Sequence, residues 1–370
     1  MRYNNINGAS VSMLGMGAMR LPQIGEGWGQ PVDYKKAEEI IDYCISEGVN
    51  YFDTAYVYHG GDSERFLGYA LKKYPRESYY IADKYNLIRQ PDFRIQFEEQ
   101  LERLQMEYID FYLCHGISDQ YISGYLGNGC VEYFQEEKAR GRIKNLGFSF
   151  HGHPDVLRKA LEYCQWDFVM IQLNYYDWFH SNMKELYGIL KENNIPALAM
   201  EPVHGGMLAN LTPEGNALLK AAEPEKSIAS WALRFVMGLP HVSAVLSGMS
   251  TLEQVKDNIA TVKESKPITT GDEEMLLQAS TMLFNTIGAP CTFCRYCSCP
   301  LGLDIPHILN YYNDYKAGGE WRLNRLLALP EELRPSACTS CGECVKSCPQ
   351  NLDMPKYMKD IAGVMRKNNP

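Results

Sequence analysis

The sequence predicts an α/β chain closed into a (β/α)8 TIM barrel, followed by a small, mainly helical, cysteine-rich domain. Three observations carry this prediction. Up to about residue 265, eight short runs rich in β-branched and aromatic residues alternate with eight amphipathic helical patterns. Polar residues (Asp53, Lys84, His115, Ser149, Gln172 with Asn174, Glu201 and Ser247) stand at the C-terminal ends of those runs. Such barrels keep their sites at those ends. Beyond residue 290 the composition changes, and eight of the twelve cysteines fall there in two tight runs.

The opening stretch, with Asn7-Gly8, suits a small hairpin plugging the barrel floor. Strands are read at 12–16, 49–54, 79–84, 109–115, 143–150, 168–174, 195–201 and 242–249. Helical patterns are read at 34–47, 63–74, 92–106, 130–140, 154–164, 182–193, 226–237 and 251–262. Strands joined through helices pair in parallel. After Lys266-Pro267 the register changes. A helix near 272–285 leads into the first cysteine run, and the stretch between the runs reads as helical at 308–315 and 321–329. The expected domains are therefore 1–265 and 266–370.

With 370 residues and 45% hydrophobic content, the chain can bury one large core and a small one. A formal charge of −9 argues against nucleic acid as a main partner. No run approaches the roughly 20 apolar residues of a membrane span. The N-terminus, MRYNNINGASVSM, lacks a basic-then-apolar leader pattern. A cytoplasmic location is expected, where disulfides are rare and clustered cysteines bind metal.

The first cysteine run is Cys291-x2-Cys294-x2-Cys297-x-Cys299-Pro300, and the second is Cys338-x2-Cys341-x2-Cys344-x3-Cys348-Pro349. The second is the bacterial ferredoxin spacing for cubane iron–sulfur ligation. Cys-x2-Cys pairs also suit zinc, but the third and fourth cysteines and the prolines favour iron–sulfur. Two runs of four can hold two 4Fe–4S clusters. In two-cluster ferredoxins the fourth cysteine of each run ligates the other cluster. That assigns Cys291, Cys294, Cys297 and Cys348 to one cluster, and Cys338, Cys341, Cys344 and Cys299 to the other. The first run departs in having only Ser298 between Cys297 and Cys299. Cys44, Cys114, Cys130 and Cys164 lie among apolar residues and read as buried small hydrophobes.

Asp53, Tyr58, Lys84 and His115 lie at or just past successive strand ends, in FDTAYVYHGG, IADK and YLCHG. Each alone could be a loop cap or a satisfied core residue. Together and in this order they resemble the aldo-keto reductases, over residues 1 to about 265. The resemblance implies that Tyr58 is the general acid and base that exchanges a proton with a carbonyl or alcohol oxygen. A free phenol, with a pKa near 10, is a poor donor at neutral pH. A nearby ammonium favours the phenolate, which is the expected role of Lys84. Asp53 would hold Lys84, and His115 would direct the substrate oxygen.

The resemblance further implies NADPH or NADH bound by Gly17, Ala18, Met19, Asp53, Ser149, Gln172, Pro202, Val203, Gly205, Gly248, Ser250, Gln254 and Asn258. Ser149 and Gln172 match residues that grip the nicotinamide carboxamide, and Gln254 and Asn258 match adenine contacts. The helix N-terminus after Ser247 would receive a phosphate. Gly248 and Gln254 stand where many NADPH-using members carry Lys and Arg, and Met200 stands where an aromatic often stacks. Both dinucleotides stay open on these residues. No GxGxxG follows the first strand, so no Rossmann site is indicated.

With its cysteine runs the whole chain resembles a bacterial aldo-keto reductase branch bearing a C-terminal ferredoxin-like domain. The implied substrate is a small carbonyl or alcohol. Trp28, Tyr56, His59, His151, His153, Tyr175, Tyr176, Trp178, Phe179, His180 and His204 suit walls for a sugar, polyol or flat ring, or serve as loop anchors. Three functions compete. One is an NAD(P)H-dependent carbonyl reductase or alcohol dehydrogenase. Another is an electron-transfer protein exchanging electrons with a redox partner through the clusters. The third is a binding module, against which the intact tetrad argues. No flavin motif is visible to split a hydride into single electrons, so the clusters are structural or oxygen-sensing, or exchange electrons with a partner, or a flavin binds without a recognisable motif.

Overall fold

The computed structural model describes residues 1–25, 30–316 and 323–368. Trp28, and residues 321 and 322 of the stretch read as helical at 321–329, lie outside the described residues. The chain divides into two compact units, Met1–Val203 with Ala229–Glu273, and His204–Ile228 with Glu274–Pro370. Among the described residues no helix is long and apolar enough to cross a membrane.

The first unit opens with a hairpin of β1 (Tyr3–Ile6) and β2 (Ala9–Ser12). Its two-residue turn places Asn7 at φ 48° and Gly8 at φ 91°. Both central residues of such a turn need positive φ, which Asn and Gly tolerate. Eight strands follow: β3 (Leu14–Gly17), β4 (Tyr51–Asp53), β5 (Tyr80–Tyr85), β6 (Ile109–Ile117), β7 (Ile143–Phe150), β8 (Phe168–Gln172), β9 (Ala197–Met200) and β10 (Val242–Ser247). They pair in parallel and in order, and β10 returns to β3 to close the barrel. All eight predicted strands are present.

The interior is filled by Tyr51, Ala82, Phe111, Leu113, Phe168, Met170, Leu198, Ala244 and Leu246, with Ile6 and Val11 of the hairpin among them. The hairpin therefore plugs the barrel as expected. Asn7 fastens it, donating to Asn145 Oδ1 at 3.3 Å and Asp167 Oδ1 at 3.1 Å. Outer helices begin where short polar side chains cap them. Asp33 accepts from Lys36 N, and Asp92 from Arg94 N and Ile95 N. Helices Ile122–Gly127 and Tyr175–His180 have no predicted counterpart, because six residues are too few to show a period.

The second unit is mainly helical, as predicted, with helices Pro213–Ala222, Ile305–Lys316, Leu323–Leu327 and Met354–Asn368. Helix Pro213–Ala222 was missed, although Thr212 before Pro213 is an ordinary start signal and caps Gly215 N. Its core comprises Ala289, Leu303, Ile305, Ile308, Leu309, Leu323, Leu326, Cys344, Leu352, Met354, Met358, Ile361 and Met365. Cys291, Cys297, Cys299, Cys338 and Cys348 pack against it. Segment 204–228 belongs to this unit. Gly205, at φ 66°, lies so close to the first cysteine run that a Cβ would stand 2.1 Å from the Thr292 carbonyl oxygen. Only glycine fits there.

Candidate active site and cysteine centres

The period of two along a strand decides which residues face the barrel axis. One pleat repeat beyond Tyr51, Ala82, Leu113, Met170 and Leu198 come Asp53, Lys84, His115, Gln172 and Met200. In β7, Asn145 reaches the hairpin, so Gly147 and Ser149 continue the same face. The layer above the apolar plug is therefore polar, at the C-terminal ends of the strands.

Lys84 Nζ lies 2.6 Å from Asp53 Oδ1 and 2.5 Å from the Thr54 carbonyl oxygen. It also lies 5.1 Å from the centre of the Tyr58 ring. Tyr58 meets His115 edge-on, with ring centres 6.1 Å apart and planes at 85°. All four side chains are buried. The geometry thus brings together all four residues singled out from the sequence. Burial raises the Asp53 carboxyl, and Lys84 opposes that shift. Burial, then Lys84, then His151 hold the His115 imidazole well below its usual range, so it is neutral. A phenol between an ammonium and a neutral imidazole can give a proton to an oxygen and take it back. Asp53 Oδ2 is buried and has no hydrogen-bond partner among the described residues. A hydroxyl donor would satisfy it.

Sequence reasoning missed the groups that fix this layer. Thr54 holds Lys84 by its carbonyl. Asp177 holds Gln172 and Asn174, accepting from Gln172 Nε2 at 2.5 Å and Asn174 Nδ2 at 2.6 Å. Asp83, next to Lys84, faces the other side of the strand. Burial, and then the neighbouring Glu64 carboxyl, push it well above the usual carboxylate range. Ser149 Oγ accepts from Gly116 N at 2.8 Å, which leaves its own proton to donate.

Gly17 ends β3 opposite Asp53, and Ala18 and Met19 form the turn that follows. Asn258 Nδ2 donates to Ser247 Oγ at 3.0 Å, tying the last barrel helix to β10. Ser250 Oγ donates to the Arg20 carbonyl at 2.7 Å. Pro202 and Val203 close the first segment of the barrel unit, and Gly205 lies in the second unit.

Several proposed wall residues are anchors. The Tyr56 hydroxyl donates to Glu99 Oε2 at 2.7 Å, and the Arg103 guanidinium lies 4.3 Å from the centre of its ring. Tyr175, Trp178 and Phe179 pack on Phe235. His59 meets the Gln30 carbonyl at 3.2 Å. His151 instead lies close enough to His115 to influence its charge.

The two histidines give a pH prediction. Unfolded, each imidazole takes a proton near pH 6.5. Folded, burial holds His151 down to about 4 and His115 well below 6.5. Unfolding therefore binds protons, and barrel stability is expected to fall as pH drops from 6.5 to about 4. Urea midpoints across that window check this, and His151→Gln should flatten the slope.

The two cysteine runs share one backbone design. In the first, Phe293 and Arg295 flank Cys294 at φ 59° and 60°; in the second, Ser340 and Gly342 flank Cys341 at 58° and 78°. The same left-handed residues at the same places wind each Cys-x2-Cys-x2-Cys loop alike. Cys299, Cys338, Cys341 and Cys344 border one cavity, walled by Leu303, Ile305 and Met358. Cys299 thus lies beside the second run despite its short spacing. Burial pushes the Cys297 thiol up to about 12, and the nearby thiols of Cys291 and Cys348 add to the shift. Among the described residues no three ligand-type side chains converge as around one metal ion.

Comparison with known proteins agrees with this architecture. The profile of the aldo/keto reductase family matches residues 13–273, and that of the 4Fe-4S dicluster domain matches residues 290–353. An L-galactose dehydrogenase of Arabidopsis thaliana is 30% identical over 304 residues, spanning 75% of this chain and 92% of its own. An NADH-specific methylglyoxal reductase of Escherichia coli is 24% identical over 297 residues, spanning 68% of this chain and 90% of its own. The solved holo form of an aldo-keto reductase from Bacillus halodurans superposes with a TM-score of 0.62 at 26% identity, over 76% of this chain and 97% of its own.

Proposed function

The chain belongs to the aldo/keto reductase family and carries a 4Fe–4S dicluster domain after its barrel, and we propose that it interconverts a small carbonyl compound and its alcohol. The observation that carries this reading is the buried constellation of Asp53, Lys84, Tyr58 and His115 at the ends of adjacent strands. A nicotinamide dinucleotide bound at the barrel mouth would supply or accept the hydride. The orphaned Asp53 Oδ2 and the Ser149 hydroxyl fit its ribose and carboxamide. The turn at Gly17, Ala18 and Met19, Gln172, the 202–205 loop and the last loop from Gly248 to Asn258 would hold the rest.

Tyr58 gives its phenolic proton to the carbonyl oxygen as charge builds there. Lys84 stabilises the phenolate left behind, and Asp53 keeps Lys84 in place. Neutral His115 orients the same oxygen by a hydrogen bond. In the oxidative direction Tyr58 takes the proton from the alcohol. The likeness to L-galactose dehydrogenase supports an aldose or similar polyhydroxy substrate.

Two 4Fe–4S clusters would sit on Cys291, Cys294, Cys297 and Cys348 and on Cys299, Cys338, Cys341 and Cys344. Cys341 is exposed, which favours a second reading, in which this cluster exchanges electrons with a partner protein. An anaerobic assay of NADH and NADPH oxidation against aldoses and small oxoaldehydes tests the main reading. Carbonyl-dependent oxidation is expected. A protein that binds dinucleotide but turns over none of these carbonyls would contradict it.

A further inference from the structure

The outer face of β5 carries polar side chains where a sheet ordinarily packs apolar ones against its helices. Asp83, Glu64, Gln100 and Tyr112 are all fully buried. They come from β5, from helices Asp62–Leu71 and Phe93–Leu104, and from β6. Glu64 Oε1 accepts from Gln100 Nε2 at 3.1 Å, and Glu64 Oε2 from Arg103 Nη1 at 2.8 Å. Gln100 Oε1 accepts from the Tyr112 hydroxyl at 2.6 Å. Burying such groups is costly unless each finds a partner, and the chemistry proposed above uses none of them.

Their common target is the backbone of Lys84. Along a strand, successive peptide groups turn to opposite neighbours. Ala82 O accepts from Thr54 N at 2.9 Å, so Ala82 turns to the β4 side, and so does Lys84 two residues on. But β4 ends at Asp53. The next acceptor on that side, the Thr54 carbonyl, takes Lys84 Nζ instead. Past the end of β4, the N–H and C=O of Lys84 therefore have no strand to pair with. Asp83 Oδ1 accepts from Lys84 N at 2.8 Å, and Gln100 Nε2 donates to Lys84 O at 3.2 Å. Two side chains thus stand in for the missing strand. Thr54 is held in turn, with its hydroxyl 2.8 Å from Ser63 Oγ.

We propose that Asp83 and Gln100 are positioning residues for Lys84, fixing its backbone so that its ammonium stays beside Tyr58. The proposal rests on the reading above, in which Lys84 supports the proton transfer of Tyr58. An ammonium on a four-carbon stem is placed only as well as the backbone that bears it. Asp83 acts through one carboxyl oxygen as an acceptor, so its charge is not required. Gln100 acts through its amide as a donor. The Tyr112 hydroxyl and the Glu64 carboxylate orient that amide, with its oxygen toward the first and its nitrogen toward the second.

The test is steady-state carbonyl reduction by the full-length, anaerobically purified protein, with an aldose or oxoaldehyde that the wild type reduces. Gln100→Met and Asp83→Leu are expected to lower kcat about tenfold or more, the scale of a slightly displaced catalytic group. The dinucleotide dissociation constant should stay unchanged in both. Asp83→Asn keeps an acceptor oxygen for Lys84 N, and should restore kcat to near the wild-type value. Gln100→Met should also cost little once Tyr58→Phe has removed the group that Lys84 serves. A residue that merely supports the fold would show neither pattern. Circular dichroism checks that each variant is folded, and either of the two carries the test if the other is not. Wild-type kcat in a folded Gln100→Met or Asp83→Leu, or an equal loss in Asp83→Asn, overturns the proposal and leaves the proposed function standing. A wild type that reduces no carbonyl overturns both.

Discussion

Tyr58→Phe is expected to lower kcat/KM for carbonyl reduction by about 10²–10⁴-fold, the usual contribution of a positioned acid, and to leave the dinucleotide dissociation constant unchanged. The substitution keeps the ring that packs edge-on against His115 and removes only the hydroxyl. Lys84 keeps its bonds to Asp53 and the Thr54 carbonyl, so no buried charge is orphaned. That makes it a cleaner probe than Lys84→Met. Removing one partner of a buried ion pair typically costs about 3–5 kcal/mol, and folding would then confound activity. Full activity in Tyr58→Phe would contradict the proposed chemistry.

Removing the iron is expected to unfold the cysteine-bearing unit and leave the barrel standing. Five cysteines pack against that unit's core, and Cys344 lies within it. Phe293, Arg295 and Ser340 are held left-handed, at a cost of about 1–3 kcal/mol each, which the ligated loops must offset. A buried thiol such as Cys297, pushed up to about 12, gives up its proton to the metal, so loading releases protons. Hydrogen exchange before and after anaerobic chelation would show protection lost across 290–365. Segment 204–228 should follow, because it belongs to the same compact unit. Unchanged protection there would contradict the account.

Much of this was legible in the sequence, because alternation and strand ends are local signals. Each strand carried its own apolar run, and Asp53, Lys84, His115 and Gln172 each lay two residues beyond a core residue. What the sequence hid was long-range. Nothing in His204-Gly205-Gly206 announces that its backbone lies against Thr292. The aromatic residues near the mouth looked like pocket walls. Tyr56 and Trp178 proved to be anchors because Glu99, Arg103 and Phe235 are brought to them by the fold. At the last helix the start signal allowed two readings, a phosphate-receiving N-terminus and an ordinary capped helix. Thr251-x2-Gln254 spells a capping box, and the structure forms it. The short spacing at Ser298 sets Cys299 apart in the sequence, and only the fold shows that it lines a cavity with Cys338, Cys341 and Cys344.

The central claim is direct hydride exchange at the Tyr58 site, and deuterium transfer tests it most directly. The anaerobic protein would be given NADH labelled with deuterium at nicotinamide C4 on each face in turn, together with a reducible aldose. The account predicts one deuterium on the carbinol carbon of the product from one of the two labelled forms, and none with Tyr58→Phe. Alcohol formed without label from either form would contradict it, and would mean that the electrons had travelled by another route.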